Sequence, residues 1–144
     1  MFTIIPMQLT DYDAVMALME QTPGVSIRAA DSRDATARYL DRNPGLSFIA
    51  KVDDAIVGCI MSGHDGRRGY LQHLLVLPAH RRQGIARSLV EHCVAALAVQ
   101  GIDKSHVDVL KTNTAAQAWW QQAGWTRRDD IERYSLIRSG APNA

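Results

Sequence analysis

The stretch from Leu74 to Arg87 holds the residues whose types and spacing best suit chemistry on an anion. An aliphatic run ends at a proline, a basic loop follows, and Gly84 stands where a long helical pattern begins. The first amide N–H groups of a helix have no partner within it, and partial positive charge accumulates there. Gly84 lets an anion approach the backbone, and Arg81, Arg82 and Arg87 add charge. The stretch therefore predicts a pyrophosphate site.

The same residues also fit an ordinary helix N-terminus with solvated arginines. The motifs G-x-G-x-x-G and G-x-x-x-x-G-K-[ST] are absent, which disfavours a dinucleotide-binding Rossmann domain and a P-loop.

The 5 histidines show neither H-E-x-x-H nor a Cys/His ligand spacing, so we expect no metal site. Two arginines at 127–128 are followed by two aspartates, a self-neutralising surface rather than a nucleic-acid-binding stripe.

Short β-branched runs and amphipathic stretches must position this loop. The predicted strands cover residues 3–5, 46–52, 55–62, 70–77 and 105–110, and a final hairpin falls within 125–138. The predicted helices cover 10–21, 31–42, the segment from 85 to a stop at Gly101, and a short piece ending at Ala123. Three antiparallel strands followed by one strand–helix–strand crossover predict an α/β fold, a mixed sheet with helices on both faces.

The composition bounds the class of protein. A length of 144 residues, 47% of them hydrophobic, suits one domain over 1–144. The 16 basic and 15 acidic residues leave a net charge of +1, which indicates no nucleic-acid partner. Cys59 and Cys93 lie in apolar stretches, as in a reduced protein core. Without a signal peptide or an apolar run of roughly 20 residues, we expect a cytoplasmic protein with no membrane contact.

The sequence resembles a known family at this loop. The hexapeptide Arg81-Arg82-Gln83-Gly84-Ile85-Ala86 matches the [Q/R]-x-x-G-x-[G/A] signature of the GCN5-related N-acetyltransferases (GNAT). The resemblance spans roughly residues 3–138 and includes the element order, Asn113 and the Ala123-Gly124-Trp125 turn. It implies a GNAT-like, mostly antiparallel sheet whose fourth and fifth strands splay apart around the crossover helix. It also implies acetyl-CoA as the donor substrate.

The resemblance assigns residues to the cofactor. Backbone groups of Leu74, Leu75 and Val76 would pair with the pantetheine arm. Asn113 and Trp120 would also contact the cofactor. The pyrophosphate would be held by the loop and first helical turn, with members Arg81, Arg82, Gln83, Gly84, Ile85, Ala86 and Arg87.

Direct acyl transfer from a thioester needs a neutral amine, a donor for the developing oxyanion and a tolerable leaving group. A backbone N–H of the splayed strand, at Val76 or a neighbour, suits the oxyanion. Deprotonating a lysine-like amine at pH 7 costs about 4.6 kcal/mol, against about 1.4 kcal/mol for an α-amine. A general base therefore matters more than a general acid.

Two residues compete for the role of base. Asp108 lies five residues before Asn113, as does a catalytic glutamate in the GNAT branch that acetylates ribosomal-protein N-termini, where the pattern reads E-V-x-x-x-N. The shorter aspartate favours a water relay, and it could instead pair with Lys111 or an arginine. His73 is titratable near neutrality and lies near the implied cleft. A lone histidine among leucines is also commonly a hydrogen-bonded core residue.

Trp120 departs from the family pattern. Many members have a tyrosine here that protonates the departing sulfur, and an indole cannot do so. Either the thiolate leaves unassisted, or a water or Tyr134 helps. Tyr134 could equally be a packing residue, and the tryptophans could be core residues or a wall for an apolar acceptor.

These observations favour an N-acetyltransferase that transfers acetyl from acetyl-CoA to a primary amine by direct attack in a ternary complex. The acceptor is a small molecule or a peptide. The alternatives are a protein N-terminal acetyltransferase of the ribosomal-protein type, and a catalytically weak acyl-CoA-binding module. Homodimers are frequent in the family, and the sequence leaves the oligomeric state open.

Overall fold

The computed structural model describes residues 1–144 and contains five strands and four helices. The strands are β1 (Thr3–Pro6), β2 (Phe48–Val52), β3 (Ala55–His64), β4 (Gly69–Val76) and β5 (Ser105–Val107). The helices are α1 (Tyr12–Gln21), α2 (Arg33–Arg42), α3 (Ile85–Val99) and α4 (Thr114–Gln122). The chain divides into two units, Met1–Val107 and Asp108–Ala144, and the first contains the whole sheet. No helix has the length and apolar character that crossing a bilayer requires.

The sheet has the order β1-β2-β3-β4-β5. The first three neighbouring pairs are antiparallel, and β4 and β5 run parallel. A parallel pair needs a long connection, which α3 supplies. The predicted fold class, a mixed and mostly antiparallel sheet with one strand–helix–strand crossover, is therefore confirmed.

Helices α1 and α3 cover opposite faces of the sheet. The buried cluster at α1 joins the helix to β2 and β3 through Val15, Leu18, Met19, Ile49, Cys59 and Met61. Successive strand residues point to opposite faces. Phe48 accordingly points away from this cluster, and its ring centroid lies 5.4 Å from that of His92 on α3. The apolar stripe predicted for α3 is buried, with Ile85, Leu89, Cys93 and Leu97 each at most 1% exposed.

Both cysteines belong to this interior. Cys59 and Cys93 are free thiols with no exposed surface. Burial raises the pKa of each thiol to about 12, because a thiolate is poorly solvated among apolar side chains. The prediction that both are small core residues is confirmed.

Strand β4 is interrupted by a bulge. Its pairing with β3 shifts after the Met61–Gln72 pair, so that His73 and Leu74 together oppose Ile60. His73 has a φ of +54°, in the left-handed region, which costs a non-glycine residue roughly 1 kcal/mol or more. Bulges of this kind redirect a side chain out of the regular strand pattern.

The ladder between β4 and β5 is short and leaves part of β4 open. It contains three residue pairs and ends at Leu71 and Val107. Beyond that point the segment Gln72–Val76 has β3 as its only strand partner. Its other edge has no strand partner, in agreement with the splayed crossover that the resemblance implies.

The predicted terminal hairpin is wrong. Residues 125–138 contain no strand, and β5 also ends before the predicted residue 110. The apolar pattern near the C-terminus suggested a strand, but Tyr134 and Leu136 are each 91% exposed. A strand needs a partner strand for its backbone and a core for its apolar face. Residues 126–138 are all exposed and pair with no strand.

Candidate active site

The loop before α3 ends in a left-handed residue. Gly84 is the N-cap of α3 with a φ of +85°, and Arg82 has a φ of +62°. The first α-helical hydrogen bond runs from the N–H of Ser88 to the carbonyl of Gly84 at 3.0 Å. The amides of residues 82–87 donate to no acceptor within the chain. This row of free N–H groups lies at the positive end of the helix dipole and suits an anion.

The surroundings of Gly84 allow a phosphate to approach the backbone closely. A Cβ placed on this residue would meet no atom within 4 Å. Arg82, Gln83 and Arg87 are exposed beside it. The Ile85 side chain is 1% exposed and packs in the core, so only its amide could contact a ligand. The residues predicted to hold the pyrophosphate of coenzyme A therefore fit that group.

Arg81 braces the loop against the sheet. Its Nε donates to the carbonyl of Val76, the last residue of β4, at 3.0 Å. This contact fastens the predicted anion site to the strand that precedes it.

The open edge of β4 carries a donor next to that contact. The N–H of Leu77 donates to the carbonyl of Val57 on β3 at 2.9 Å. Backbone groups alternate sides along an extended strand, so the N–H of Val76 faces the open edge. Leu74 falls on the same side, whereas the backbone of Leu75 faces β3.

His73 and Asp31 meet although they are 42 residues apart in sequence. The Nε2 atom of His73 lies 2.8 Å from Oδ1 of Asp31, and the side chains are 20% and 12% exposed. A carboxylate only accepts hydrogen bonds, so a neutral His73 carries its proton on Nε2 and donates it. That arrangement leaves the lone pair on Nδ1 available to accept a proton.

Asp31 is held in place by two further contacts. Its Oδ2 accepts the amide N–H of Arg28 at 2.8 Å. Its backbone carbonyl accepts the hydroxyl of Tyr12 at 2.6 Å. Asp31 ends a short 3-10 turn just before Ser32, the N-cap of α2. The carboxylate is therefore oriented before any ligand binds.

An open cleft of about 420 Å³ lies beside this pair. Sites for small ligands commonly measure roughly 300–1,000 Å³. Its lining comes from the 3-10 turn, α2, the residue after it, β3 and β4: Ala30, Asp31, Ala35, Thr36, Arg38, Tyr39, Arg42, Asn43, Met61, Gln72 and His73.

Tyr39 lines this cleft, but its hydroxyl oxygen is buried. The oxygen makes no hydrogen bond of good geometry. Burial raises the pKa of Tyr39, and the nearby side chain of Gln72 offsets only part of that rise. Tyr39 therefore stays neutral at physiological pH, and its oxygen has no surface exposed to the cleft.

Two of the predicted site residues begin the second unit. Asn113 is the N-cap of α4, and its Oδ1 accepts the N–H of Ala116 at 3.1 Å. The carboxylate of Asp108 accepts a hydrogen bond from Arg133 at 3.0 Å, with side chains 72% and 63% exposed. This is the arginine pairing that the sequence left open as the alternative role for Asp108. The catalytic role of Asp108 and the cofactor role of Asn113 stay predictions.

Trp120 lies within an aromatic cluster of the second unit. It is 7% exposed, and its ring centroid lies 5.0 Å from that of Trp119 and 4.8 Å from that of Trp125, both edge to face. Tyr134 is 91% exposed. Its role as a proton donor and the cofactor contact of Trp120 also stay predictions.

Sequence reasoning missed most of the cleft. Asp31 was expected only as a residue opening the second helix, and Tyr39 was not singled out. Arg38 and Arg42 were missed too, although their spacing of four residues on a predicted helix indicates a shared face. The pairing of Asp31 with His73 left no signal in the sequence.

Comparison with known proteins identifies the family. The model of the acetyltransferase (GNAT) family matches residues 12–125. An acetyltransferase of Pectobacterium atrosepticum is 31% identical over 121 residues, which cover 84% of this chain and 85% of that protein. The chain therefore belongs to the GNAT family, and it is an acetyl-CoA-dependent N-acetyltransferase.

Solved structures share the fold. The aminoglycoside acetyltransferase AAC(6')-Iy, bound to the bisubstrate analogue CoA-S-monomethyl-acetylneamine, matches with a TM-score of 0.75 at 22% identity, covering 95% of this chain and 99% of that one. Ard1 from Thermoplasma volcanium matches with a TM-score of 0.75 at 15% identity, covering 87% and 82%. At these identities the likeness shows the fold alone, and the predicted GNAT-like fold is confirmed.

Proposed function

We propose that this acetyltransferase acetylates a primary amine of a small molecule or peptide by direct attack while donor and acceptor are bound together. The observation that carries this proposal is the His73–Asp31 pair, which lines a ligand-sized cleft at the bulge of β4. The same strand has an open edge from Gln72 to Val76 and leads to the predicted pyrophosphate site.

Acetyl-CoA supplies an activated acetyl group when bound. The free amides of residues 82–87 would hold its pyrophosphate, with Arg82 and Arg87 adding charge. The outward N–H and carbonyl of Leu74 would hold the pantetheine arm, since the carbonyl of Val76 already accepts Arg81. The N–H of Val76 is also positioned on the open edge to stabilise an oxyanion.

His73 is our candidate for the general base. The acceptor amine must lose a proton, and the free Nδ1 of His73 would accept it. Asp31 accepts a hydrogen bond from the Nε2–H group and so holds the imidazole in the tautomer that a base requires. The strained φ of +54° at His73 fits this role, because strained residues often occur at functional sites.

Asp108 remains the competing candidate, and with it the acetylation of protein N-termini. Its spacing from Asn113 is the only observation that favours this alternative. A weak acyl-CoA-binding module is the third possibility, motivated by Trp120 in place of the tyrosine. Thiol release from acetyl-CoA that depends on an added amine would separate an enzyme from such a binder.

The substitution His73→Asn tests the proposed base. Asparagine tolerates the left-handed conformation but has no basic nitrogen. We expect kcat to fall about 10²- to 10⁴-fold, the range that general bases contribute. The defect should be largest at acidic pH and shrink as pH rises, because the free amine becomes more abundant. Steady-state kinetics across pH, on acceptors found by an amine and peptide screen, measure this.

Two control variants sharpen the test. His92→Asn makes the same change on α3, where the ring contacts Phe48 on the opposite face of the sheet, and should leave kcat and its pH profile unchanged. Asp108→Asn should also leave both unchanged if His73 is the base. A His73→Asn enzyme with parental kcat, together with a large loss in Asp108→Asn, would transfer the role to Asp108.

A further inference from the structure

We propose that the acceptor carries an anionic group, a carboxylate or a phosphate, beside its reactive amine, and that Arg38 and Arg42 bind this group. The inference rests on the proposed function, since it assigns the cleft at His73 to the acceptor. It adds the chemical class of the substrate, which neither the fold nor the family specifies.

The first observation is a pair of unneutralised arginines. Arg38 and Arg42 are four residues apart on α2 and both line the cleft that contains His73. Residues at this spacing lie on one face of a helix. Neither guanidinium forms an ion pair with a carboxylate of the chain. Both side chains are exposed to solvent as well as lining the cleft.

The second observation is the lack of an available carboxylate. Asp31 is the only acidic residue in the lining. Its two oxygens already accept hydrogen bonds from His73 and from the amide of Arg28, and its side chain is 12% exposed. The other acids of α2, Asp34 and Asp41, are not part of the lining.

These charges select against a polycation and favour an anion. A guanidinium presents a planar fork of donors that matches carboxylate and phosphate groups, often through two parallel hydrogen bonds. The cleft thus offers donors at α2 and a proton acceptor at His73, as an amine with an attached anion requires.

The proposed anionic acceptor differs from that of an enzyme whose solved structure has the same fold. That enzyme, AAC(6')-Iy, is an aminoglycoside acetyltransferase. Aminoglycosides carry several amines and are polycations, which the arginines here would repel. We therefore expect this chain to prefer an amino acid, an acidic amine or an aminophosphonate to an aminoglycoside.

Matched acceptors test the proposal. Each amino acid is compared with its amide, which has the same amine without the carboxylate, and with the corresponding aminophosphonate; neamine serves as the polycation. The amine of the amide is the less basic, so chemistry alone would favour the amide. We expect kcat/KM to be at least 10-fold higher for an anionic acceptor than for its amide. The carboxylate and phosphonate arms show which anion is preferred.

Variants tie the preference to the two arginines. In the double variant Arg38→Gln/Arg42→Gln we expect the acid-to-amide ratio to fall to about 1, mainly through a higher KM for the acid. The control Arg33→Gln lies on the same helix outside the lining, where the guanidinium packs over Tyr12, and should keep the parental ratio.

The outcomes distinguish this inference from the proposed function. Acetylation of acids and amides at equal rates, or a preference for neamine, would overturn the inference and leave the amine acetyltransferase intact. A double variant that keeps the acid preference would also overturn it. If no amine of any charge is acetylated, the proposed function itself fails and the inference with it.

Discussion

Gly84 shows how one residue combines a backbone requirement with an open surface. Its φ of +85° favours glycine, and no neighbour occupies the space where a side chain would project. Gly101, just beyond the other end of α3, has a φ of +83° and is equally open. The two glycines therefore impose similar conformational demands, but only Gly84 lies in the predicted pyrophosphate site.

We predict that Gly84→Glu and Gly101→Glu each lower the free energy of unfolding by about 1–2 kcal/mol, the cost of a left-handed non-glycine residue. Only Gly84→Glu should weaken coenzyme A binding, by at least 10-fold or about 1.4 kcal/mol, because it adds bulk and negative charge beside the free amides. Urea denaturation and titration calorimetry measure the two quantities. Equal affinities of the two variants for coenzyme A would remove Gly84 from the site.

At the same scale, the sequence predicted some site residues and missed others for a definite reason. Gly84 and its neighbouring arginines form a contiguous motif, and its placement at the start of a helix follows from local pattern. His73 was predicted as a candidate, but its partner Asp31 is 42 residues away. Their contact depends on how the 3-10 turn packs against β4, and no local pattern encodes that.

At the scale of elements, the helices and central strands were largely predictable and the end of the chain was not. The period of α3 predicted a stripe that the structure buries almost completely. The bulge in β4 was not predicted, because it arises from the register against β3. The prediction of a terminal hairpin was wrong, because a pattern of apolar residues forms a strand only where a partner strand and a core are available.

Asn113 illustrates an element-scale role that competes with a functional one. Its side chain caps α4 by accepting the amide of Ala116, and the resemblance also assigns it to the cofactor. A cap acts on the stability of the helix, whereas a cofactor contact acts on binding. The two roles can therefore be separated by residues that keep one and lose the other.

We predict that Asn113→Ala lowers the free energy of unfolding by about 1 kcal/mol, because the cap is lost. Asn113→Ser should retain nearly parental stability, because serine also caps, but it lacks the amide NH₂ group. If Asn113 contacts the cofactor through that group, the serine variant should raise the KM for acetyl-CoA with stability unchanged. A parental KM in the stable serine variant would leave Asn113 as a cap only.

At the scale of the whole molecule, the near-neutral charge balance means that the binding of coenzyme A depends on local structure. The net charge of +1 provides little general attraction for a polyanionic donor. Fields from exposed charges also decay within about 8 Å at physiological ionic strength. The binding of coenzyme A must then depend on donors arranged at one place, and the free amides of residues 82–87 form the densest such set at a helix N-terminus.

The most direct test of this account is the map of backbone amide chemical shifts across the whole ¹⁵N-labelled protein during titration with coenzyme A. We predict that the largest changes fall on the amides of residues 82–87, and that pantetheine, which lacks the diphosphate, leaves those amides close to their free positions. If coenzyme A binds while these amides stay unmoved and another group shifts instead, the central claim is contradicted.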